Sequence, residues 1–347
     1  MPVTLESLRS LADLPFDDVI DVRSPSEFAE DHVPGAMSLP VLTDEERARV
    51  GTIYKQIDPF QARKLGAALV SRNAARHLEG PLSDRPGGWR PLVYCWRGGQ
   101  RSGSFAMILR QIGWRAETVE GGYKAYRRLV SQLLHDEVLP WKPVLIDGNT
   151  GTAKTQILRH LADEGAQVVD LEGLAEHRGS LFGGMAGPQP SQKMFETRLA
   201  SALIGLDPAR PVFMEAESNK VGEVLIPGSV WKAMLAAPRM EVSAPLPDRA
   251  AHLIETYAEL TADAEALRAI IDQLRPYHSA DRIDGWQALA GARDFHALCV
   301  ELMRDHYDPR YAKSSPRKAA AGGRFDMPDL SEKTLRDTAR RMIATHG

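Results

Sequence analysis

Residues 93–102 of this chain are Val93-Tyr94-Cys95-Trp96-Arg97-Gly98-Gly99-Gln100-Arg101-Ser102. The apolar run that ends at Tyr94 predicts a short buried strand, and residues 104–109 predict a helix. The glycine pair between them permits a tight turn. A cysteine on a strand-to-helix turn faces unpaired backbone N–H groups and the positive end of a helix dipole. We therefore expect Cys95 to be a nucleophilic thiolate on a loop that also binds anions.

Arginines and glycines after the cysteine complete this predicted anion site. Arginine charge stabilises a nearby thiolate, and glycine lets backbone N–H groups approach an anion closely. The predicted anion-binding residues are Arg97, Gly98, Gly99 and Arg101. The competing interpretation is a structural cysteine at the end of a strand, because cysteine is among the residues most often buried. The composition of the loop favours the functional interpretation.

The length and composition of the chain limit the classes of protein to which it can belong. At 347 residues the chain is too long for one comfortable core, which predicts two domains. Hydrophobic residues at 43% and charged residues at 26% are typical of a soluble globular protein. The formal net charge of -3 gives no overall attraction to nucleic acid. Any RNA-binding surface must therefore be a local basic patch.

Cysteine content and hydropathy bear on disulfides and membranes. Cys95 and Cys299 are the only two cysteines, which excludes a disulfide framework and a four-thiolate zinc site. The first residues lack the apolar core of a signal peptide, and no apolar segment is long enough to span a bilayer. We therefore expect a cytoplasmic protein that does not associate with membranes.

Residues 1–138 are predicted to form an α/β domain around the cysteine loop. A strand at 18–23 leads into a helix with Ser24 as N-cap and Pro25 in the first turn. Further along, a strand at 116–119 meets a glycine turn and a basic helix that carries Lys124, Arg127 and Arg128. Such charges usually form a solvated helix face, and the functional alternative is contact with RNA or phosphate.

Residues 139–347 are predicted to form a second domain around a phosphate-binding loop. An apolar strand at 144–147 precedes a glycine-containing loop, a Lys-Thr pair and a helix at 156–162, which is the order that a P-loop requires. Backbone N–H groups of such a loop hold phosphate oxygens, the lysine neutralises them, and the threonine is placed to bind magnesium. The predicted phosphate-binding residues are Gly148, Asn149, Gly151, Thr152, Lys154 and Thr155. The motif has one departure: Ala153 occupies its second glycine position, which argues against tight nucleotide binding.

Strands at 167–171 and 210–215 are expected to extend the second domain into a parallel sheet. Glu215 and Glu217 end the second of these strands. An acidic residue there either orients a metal-bound water or is simply a satisfied carboxylate, and the two interpretations are evenly matched. Between the strands lies a polar loop with His177, Arg178 and Ser180. We expect this loop to close over phosphates, the alternative being a plain surface loop.

The rest of the second domain is predicted to be mainly helical. Residues at helical spacing form an apolar face: Phe295, Leu298, Cys299, Leu302 and Met303. Cys299 is therefore expected to be a core residue without a catalytic role. A basic stretch follows, with Lys313, Arg317, Lys318 and Arg324. A mobile solvated tail is the expectation for it, and contact with an RNA backbone is the more specific alternative.

Several motifs of the first domain resemble those of the rhodanese family, in which a loop cysteine carries sulfur as a persulfide. These motifs are Asp21-Val22-Arg23, Glu27-Phe28, His32-Val33-Pro34-Gly35-Ala36 and the Cys95 loop. The resemblance covers about residues 5–130, with a long insert between Val41 and Pro91.

With its P-loop domain, the chain as a whole resembles a more specific family, the bacterial tRNA 2-selenouridine synthases. This resemblance covers nearly the whole chain and rests on the domain order, the Cys95 loop and further short motifs. Those motifs are Gly121-Gly122-Tyr123-Lys124, His177-Arg178-Gly179-Ser180, Glu215-Ala216-Glu217-Ser218 and Tyr307-Asp308-Pro309.

The resemblance implies a fold and an activity. The implied fold is α/β, with an N-terminal rhodanese-like domain followed by a P-loop NTPase-like domain that has a parallel sheet and a helical C-terminal part. The implied substrate is 5-substituted 2-thiouridine at the wobble position of tRNA. Its sulfur would receive a geranyl group from geranyl diphosphate, and selenium from selenophosphate would then replace the S-geranyl group. Cys95 would carry or relay selenium and the loop around Lys154 would hold the diphosphate. No tightly bound cofactor is expected, and magnesium at Thr155 is the candidate ion.

Other functions stay compatible with these motifs. A rhodanese-type sulfurtransferase would need only the Cys95 loop. The spacing from Cys95 to Arg101 also fits a Cys-x5-Arg phosphatase, although Tyr94 stands where such enzymes usually have a histidine. A P-loop small-molecule kinase with a rhodanese-like binding module is the remaining alternative, and Ala153 argues mildly against it.

Overall fold

The structure, a computed structural model, describes residues 2–185, 187–314 and 322–346. The chain divides into two compact units, residues 1–138 with 190–205, and residues 139–189 with 206–347. One boundary thus falls after residue 138, where the sequence indicates a change of domain, but a later segment also belongs to the first unit. None of the helices in the described ranges combines the length and apolar character needed to cross a bilayer.

Short strands and helices alternate along most of the described chain. The strands are β1 (Asp18–Asp21), β2 (Met37–Ser38), β3 (Pro91–Tyr94), β4 (Glu117–Thr118), β5 (Lys142–Asp147), β6 (Gln167–Val169), β7 (Pro211–Glu215), β8 (Lys220–Val221), β9 (Val224–Leu225), β10 (Arg239–Ser243) and β11 (Arg324–Asp326). The α-helices are α1 (Leu8–Ala12), α2 (Pro25–Glu30), α3 (Asp44–Gln56), α4 (Pro59–Glu79), α5 (Gln100–Ile112), α6 (Gly122–Ser131), α7 (Lys154–Asp163), α8 (Leu171–Ala175), α9 (Gln192–Ile204), α10 (Gly228–Ala236), α11 (Leu246–Thr256), α12 (Ala258–Ala262), α13 (Ala264–Asp272), α14 (Ala280–Gly291), α15 (Phe295–Leu302), α16 (Asp308–Ser314) and α17 (Glu332–His346). Helices α6 and α15 continue into π-helical turns, Gln132–Asp136 and Met303–Tyr307, and a 3-10 turn spans Arg275–Tyr277.

The first unit contains a four-stranded parallel sheet in the order β2-β1-β3-β4. Every residue of β3 is buried, as expected for a central strand that is covered on both faces. Ile20, Val93, Phe105 and Leu109 belong to the core around this strand. Cys95 directly follows β3, so the cysteine loop leaves the sheet at the carboxyl end of a central strand.

A buried ion pair lies at the end of β1, next to the cysteine strand. The side chains of Arg23 and Asp21 are fully buried, and Nη2 of Arg23 donates to Oδ2 of Asp21 at 2.6 Å. The Arg23 guanidinium also lies 3.9 Å from the centroid of the Tyr123 ring. Removing one partner of such a buried pair typically costs about 3–5 kcal/mol, because the other charge is left uncompensated. The Asp21-Val22-Arg23 motif therefore has a structural role, which is to tie β1 to helix α6.

Helix α9 lies between β6 and β7 in the sequence, yet it belongs to the first unit. The guanidinium of Arg127 donates to the buried carboxylate of Glu196 on this helix. The ammonium group of Lys193 donates to Glu30 at 2.6 Å. A division of the chain at residue 138 alone does not describe this arrangement, because the partners of α9 are distant in sequence.

The second unit is built on a five-stranded parallel sheet in the order β11-β10-β5-β7-β6. Strand β5 comes first in the chain and lies at the centre, with later strands on both of its sides. Such a reversal of strand order opens a crevice at the carboxyl ends of the strands, where ligands bind in α/β sheets. The loop after β5 is the predicted phosphate-binding loop, and α7 begins at Lys154. The predicted α/β class is confirmed, as is the parallel sheet expected in the second domain.

The C-terminal residues are ordered into a strand and a helix, and the expected mobile tail is wrong from residue 324 onward. From residue 324 the chain forms the edge strand β11 and then helix α17, instead of a mobile tail. Phe325, Leu335 and Met342 are buried in the core of the second unit, because apolar residues at helical spacing give α17 one core-facing side. Arg324 pairs with Asp326 at 3.0 Å. Lys313 lies on α16, whereas Arg317 and Lys318 lie outside the described residues.

Candidate functional site

The sulfur of Cys95 receives two hydrogen bonds from the start of helix α5. The side chain is buried, with 3% of its residue surface exposed. The Ser102 hydroxyl donates to Sγ at 3.2 Å, and the backbone N–H of Gly99 donates at 3.3 Å. Donors at a helix N-terminus stabilise negative charge, so this arrangement suits an anionic sulfur or selenium atom.

The first turn of α6 forms backbone hydrogen bonds to the cysteine loop. The backbone N–H groups of Tyr123 and Lys124 donate to the carbonyl oxygens of Cys95 and Trp96, at 2.8 and 3.1 Å. A Cβ atom on Gly122 would lie 2.2 Å from the Cys95 carbonyl oxygen. Only glycine fits this close approach, which explains the Gly-Gly-Tyr-Lys motif.

The two arginines of the cysteine loop have different surroundings. Arg101 donates through Nη1 to Glu27 at 2.7 Å, so its charge already has a carboxylate partner. Burial alone would raise the pKa of Glu27, but the hydrogen bond and charge of Arg101 lower it below the usual value. Arg97 is exposed and lines a neighbouring basic pocket. Direct anion binding by Arg97, Gly98 or Arg101 stays a prediction, whereas the Gly99 N–H reaches the cysteine sulfur.

The basic pocket is a hollow of about 1190 Å³ in the first unit. Its lining includes Trp96, Arg97, Lys124, Arg127, Arg128 and Lys193. The guanidinium of Arg127 is tied to Glu196. Lys124 and Arg128 are exposed, and neither forms an ion pair within the described part of the chain. The three residues predicted to contact RNA therefore lie together, but one of them has a structural partner.

In the second unit, the loop after β5 has the contacts of a phosphate-binding loop. Nζ of Lys154 donates to the Gly148 carbonyl at 2.8 Å, which holds the ammonium group over the loop. The Thr152 hydroxyl donates to the Asn149 carbonyl at 2.8 Å. Gly151 has φ = +83°, a conformation that favours glycine. These contacts give the loop a defined shape in which backbone N–H groups can hold phosphate oxygens.

Ala153 has a left-handed backbone conformation, with φ = +58° and ψ = +32°. Residues with a Cβ atom rarely adopt it, since it brings Cβ close to the following carbonyl oxygen. The departure from the glycine of the P-loop motif is therefore a local backbone strain, and the loop keeps its fold despite it.

Acidic side chains lie beside the lysine and threonine of this loop. The Thr155 hydroxyl donates to Oε2 of Glu172 at 3.1 Å. Burial and the neighbouring Glu217 carboxylate raise the pKa of Glu172 to about 7. Burial also raises the pKa of Glu217, although the charge of Lys154 lowers it in part. Near pH 7, Glu172 therefore exists partly as the neutral acid.

Glu215 is fully enclosed at the end of β7. Its Oε2 accepts the backbone N–H of Leu171 at 3.0 Å, which fits the interpretation of a satisfied carboxylate at a strand end. Its Oε1 is buried and has no hydrogen-bond partner among the described residues. Burial, with the nearby charges of Asp170 and Glu172, raises the pKa of Glu215 well above its usual value. Burial at this position therefore favours the protonated form of the side chain.

Magnesium is the ion that a P-loop would hold. The Thr155 hydroxyl, which donates to Glu172, is an oxygen donor of the kind that magnesium prefers. Across the described ranges, no group of three or more His, Cys, Asp or Glu side chains is arranged to hold a metal. Magnesium would thus be held here by Thr155 together with phosphate oxygens and water, and it would neutralise phosphate charge.

The predicted substrate loop lies along the phosphate-binding loop. Both line a cleft of about 590 Å³, to which Arg178 and Ser180 contribute. The Ser180 hydroxyl lies 3.2 Å from the Tyr257 hydroxyl, and the Arg178 guanidinium lies 5.1 Å from the centroid of the Tyr257 ring. His177 instead sits at the base of the loop, where Nδ1 accepts the Gly179 N–H at 3.1 Å. Two of the three predicted residues are thus brought to the cleft.

A buried arginine anchors the phosphate-binding loop to the C-terminal helices. Arg249 donates to the Thr150 carbonyl at 2.9 Å and to both carboxylate oxygens of Asp308 at 2.7 and 3.0 Å. Bidentate pairing of this kind fixes the guanidinium plane. This pairing also explains the Tyr-Asp-Pro motif. Asp308 fixes Arg249, and Arg249 in turn binds the Thr150 carbonyl of the phosphate-binding loop.

An apolar cavity of about 60 Å³ adjoins the phosphate cleft within the second unit. It shares several lining residues with the cleft: Thr150, Ser180, Leu253, Tyr257 and Tyr307. Cys299 also lines it and is only partly buried, so it is a cavity residue where we expected a core residue.

Sequence reasoning missed the parts played by Ser102, Glu172 and Arg249. Ser102 stands in the first turn of α5, where a hydroxyl after a strand-to-helix turn could have been noticed. Glu172 follows the end of a parallel strand, a position where functional carboxylates are common. No local pattern identifies Arg249, since its partners lie 99 and 59 residues away.

Comparisons with known proteins agree with this architecture. Residues 4–129 match the family described as rhodanese-like domain. Residues 141–283 match the family described as the AAA domain of tRNA 2-selenouridine synthase. The solved N-terminal domain of a proposed ATP/GTP-binding protein from Clostridium difficile 630 is 35% identical and covers 38% of this chain and 98% of its own, with a TM-score of 0.32. That TM-score is too low to support an argument.

Curated relatives match most of the chain, and those described here are all named tRNA 2-selenouridine synthase. The protein from Nitrosomonas europaea is 38% identical over 74% of this chain and 67% of its own length. The protein from Marinobacter nauticus is 32% identical over 84% of this chain and 87% of its own. The protein from Hahella chejuensis is 35% identical over 87% of this chain and 86% of its own. With matches of this identity and coverage, the chain belongs to the tRNA 2-selenouridine synthase family.

Proposed function

We propose that this chain converts wobble 5-substituted 2-thiouridine in tRNA to 2-selenouridine through an S-geranyl intermediate. Geranyl diphosphate would supply the geranyl group, and selenophosphate would supply selenium. Two observations support the proposal: the Cys95 sulfur in the first unit accepts two hydrogen bonds, and a cleft in the second unit is lined by the P-loop. Membership of the family supports the same assignment.

The P-loop cleft is assigned to geranyl transfer. In this step the thiocarbonyl sulfur of the base bonds to the first carbon of the geranyl group while the carbon–oxygen bond to diphosphate breaks, and the base loses its N3 proton to water. Negative charge then grows on the leaving diphosphate. Backbone N–H groups of the loop and the ammonium group of Lys154 stabilise that charge. The neutral form of Glu172 helps, because it removes a repelling carboxylate from the cleft.

The cysteine loop is assigned to selenium delivery. Here selenium bonds to C2 of the base, the bond from C2 to sulfur breaks, and geranyl thiolate leaves. The phosphorus–selenium bond of selenophosphate is cleaved by water, which releases phosphate. The Gly99 N–H and the Ser102 hydroxyl donate to the Cys95 sulfur. We assign to Cys95 the relay of selenium at this loop, where the same donors would stabilise an anionic chalcogen.

The basic pocket is assigned to the RNA. Lys124 and Arg128 are exposed on one side of α6, and Arg97 comes from the cysteine loop itself. Positive side chains of this kind neutralise phosphates, while the partly exposed Trp96 offers a ring on which a base can stack. Arg127 is excluded from this role because Glu196 already neutralises it.

Mass analysis of tRNA nucleosides tests the proposal, after incubation with geranyl diphosphate and selenophosphate, separately and together. Geranyl diphosphate alone should give S-geranyl-2-thiouridine, and both reagents should give 2-selenouridine. Lys154→Ala should abolish the first product, whereas Lys142→Ala, which removes an exposed charge from β5 of the same unit, should not. Cys95→Ser should keep geranylation and lose selenation.

Two results would overturn this assignment. Unimpaired selenation by Cys95→Ser would remove the cysteine from selenium delivery. Transfer of the γ-phosphate from labelled ATP, with no change in the tRNA nucleosides, would favour a small-molecule kinase with a rhodanese-like binding module.

A further inference from the structure

We propose that the apolar cavity beside the phosphate cleft binds the hydrocarbon tail of an allylic diphosphate and that its far wall limits the length of that tail. This inference rests on the proposed function, in which the P-loop cleft holds the diphosphate group. It adds a second binding site, for a different part of the same molecule.

The cavity and the cleft adjoin and share part of their lining. Thr150 belongs to the phosphate-binding loop and also lines the cavity, and Leu253 and Tyr257 of the neighbouring helices line both spaces. A ligand whose phosphates lie along the loop would therefore place its next atoms near the wall that the cleft shares with the cavity.

The lining chemistry selects a hydrocarbon over a nucleotide base. Away from this shared wall the lining is apolar, with Leu267, Phe295, Leu298 and Leu302 in it. A purine or pyrimidine buried there would leave its polar edge atoms without hydrogen bonds, which is unfavourable. An unsaturated chain has no such atoms, and its burial is favourable at about 25 cal/mol for each Å² removed from water.

The size of the cavity requires the walls to move when a tail binds. An apolar cavity of about 150 Å³ holds a benzene-sized molecule, and this one measures about 60 Å³. Phe182 is part of the wall and stands on the same loop as Arg178 and Ser180, which line the cleft. A shift of this loop would enlarge the cavity and reposition the cleft residues together. Head and tail of the ligand thus bind cooperatively.

Cys299 gives a direct measure of tail occupancy, because it lines the cavity. In the full-length Cys95→Ser variant it is the remaining cysteine of the two. Burial raises the pKa of Cys299 to about 11, so we would follow its modification by methyl methanethiosulfonate at about pH 9 by intact-protein mass, where a small thiolate fraction reacts. Excess geranyl diphosphate should slow the modification more than about tenfold, and inorganic diphosphate should not.

The outcomes of this labelling separate the two proposals. If geranyl diphosphate binds by calorimetry but leaves Cys299 labelling unchanged, the cavity does not hold the tail, and the proposed function still stands. If geranyl diphosphate does not bind, both proposals fail. Equal protection by inorganic diphosphate would also refute the cavity assignment, since the effect would then come from the cleft alone.

Filling the cavity provides a second test. Cys299→Phe should weaken geranyl diphosphate binding by about tenfold, because the larger side chain would occupy the space assigned to the tail, while inorganic diphosphate affinity should be retained. Leu235→Phe on α10 adds similar bulk at a side chain that is 56% exposed and should change neither affinity. Leu302→Ala should shift preference from the ten-carbon to the fifteen-carbon diphosphate. Unchanged geranyl diphosphate affinity in a folded Cys299→Phe variant would refute the inference.

Discussion

At the scale of single residues, the candidate sites depend on a few atoms whose environment is unusual. The Cys95 sulfur accepts two hydrogen bonds at a helix N-terminus. Ala153 takes a backbone conformation that favours glycine, and Glu172 is partly buried beside the Glu217 carboxylate. Backbone strain and buried acids cluster where a protein binds or transforms a ligand, which agrees with the assignment of this region to the diphosphate.

The strain at Ala153 predicts a stabilising substitution. Ala153→Gly should raise the free energy of unfolding by up to about 1 kcal/mol, because glycine removes the Cβ contact but makes the unfolded chain more flexible. Chemical denaturation would measure the change. The control Ala288→Gly, in the middle of helix α14, should lower stability by roughly 0.5–1 kcal/mol. A loss of stability in both variants would show that Ala153 is not strained.

The buried acid predicts a pH dependence. The pKa of Glu172 is raised to about 7 in the folded state. Protonated Glu172 therefore makes its full contribution to folding stability at pH values below its unfolded-state pKa. That contribution is lost as the pH rises through 7. Glu172→Gln should match the original protein at low pH and be more stable at pH 8, by roughly 1 kcal/mol or more, since each pKa unit is worth about 1.4 kcal/mol.

Glu164 provides the control for this pH dependence. The Arg340 hydrogen bond lowers the pKa of Glu164. Glu164→Gln should therefore reduce stability at pH 8, the opposite direction. Melting temperatures measured across this pH range would test both expectations, and a pH-independent difference for Glu172→Gln would contradict the first.

At the scale of elements, helix α6 has two functions that its sequence combines. Its first turn binds the cysteine loop through backbone N–H groups, and its exposed side carries Lys124 and Arg128. The remaining basic residue, Arg127, joins α6 to α9. The basic residues of this helix thus differ in role. Arg127 makes a structural contact, whereas Lys124 and Arg128 form an exposed positive surface.

The free surface of α6 predicts salt-dependent RNA binding. Lys124→Ala and Arg128→Ala should each weaken tRNA binding and reduce the slope of log affinity against log salt by roughly one unit, the loss of one phosphate contact. Lys64→Ala on α4 removes an exposed charge from the same unit and should leave the slope unchanged. Fluorescence anisotropy at several salt concentrations would measure it. Identical slopes in all variants would remove α6 from the RNA surface.

At the scale of the whole molecule, both units place their site by the same rule. Cys95 follows the central strand β3, and Gly148 follows the central strand β5, each at the carboxyl end of a parallel sheet. Each site is then completed by the N-terminus of the next helix, α5 or α7. Helix N-termini and parallel strand ends both favour anions, so each of these two positions suits an anionic ligand.

Some features could be predicted from local patterns in the sequence. They are the strand-to-helix turn at Cys95, the phosphate-binding loop at Lys154, the α/β class and the family. Turn chemistry and hydrophobic periodicity act over a few residues, so they can be read along the chain. The tertiary structure alone decided that Glu27 neutralises Arg101, that Arg249 and Asp308 hold the loop, and that α9 joins the first unit. It also decided that Cys299 lines a cavity. These features depend on charges and volumes brought together from distant parts of the chain, and no local pattern records such contacts.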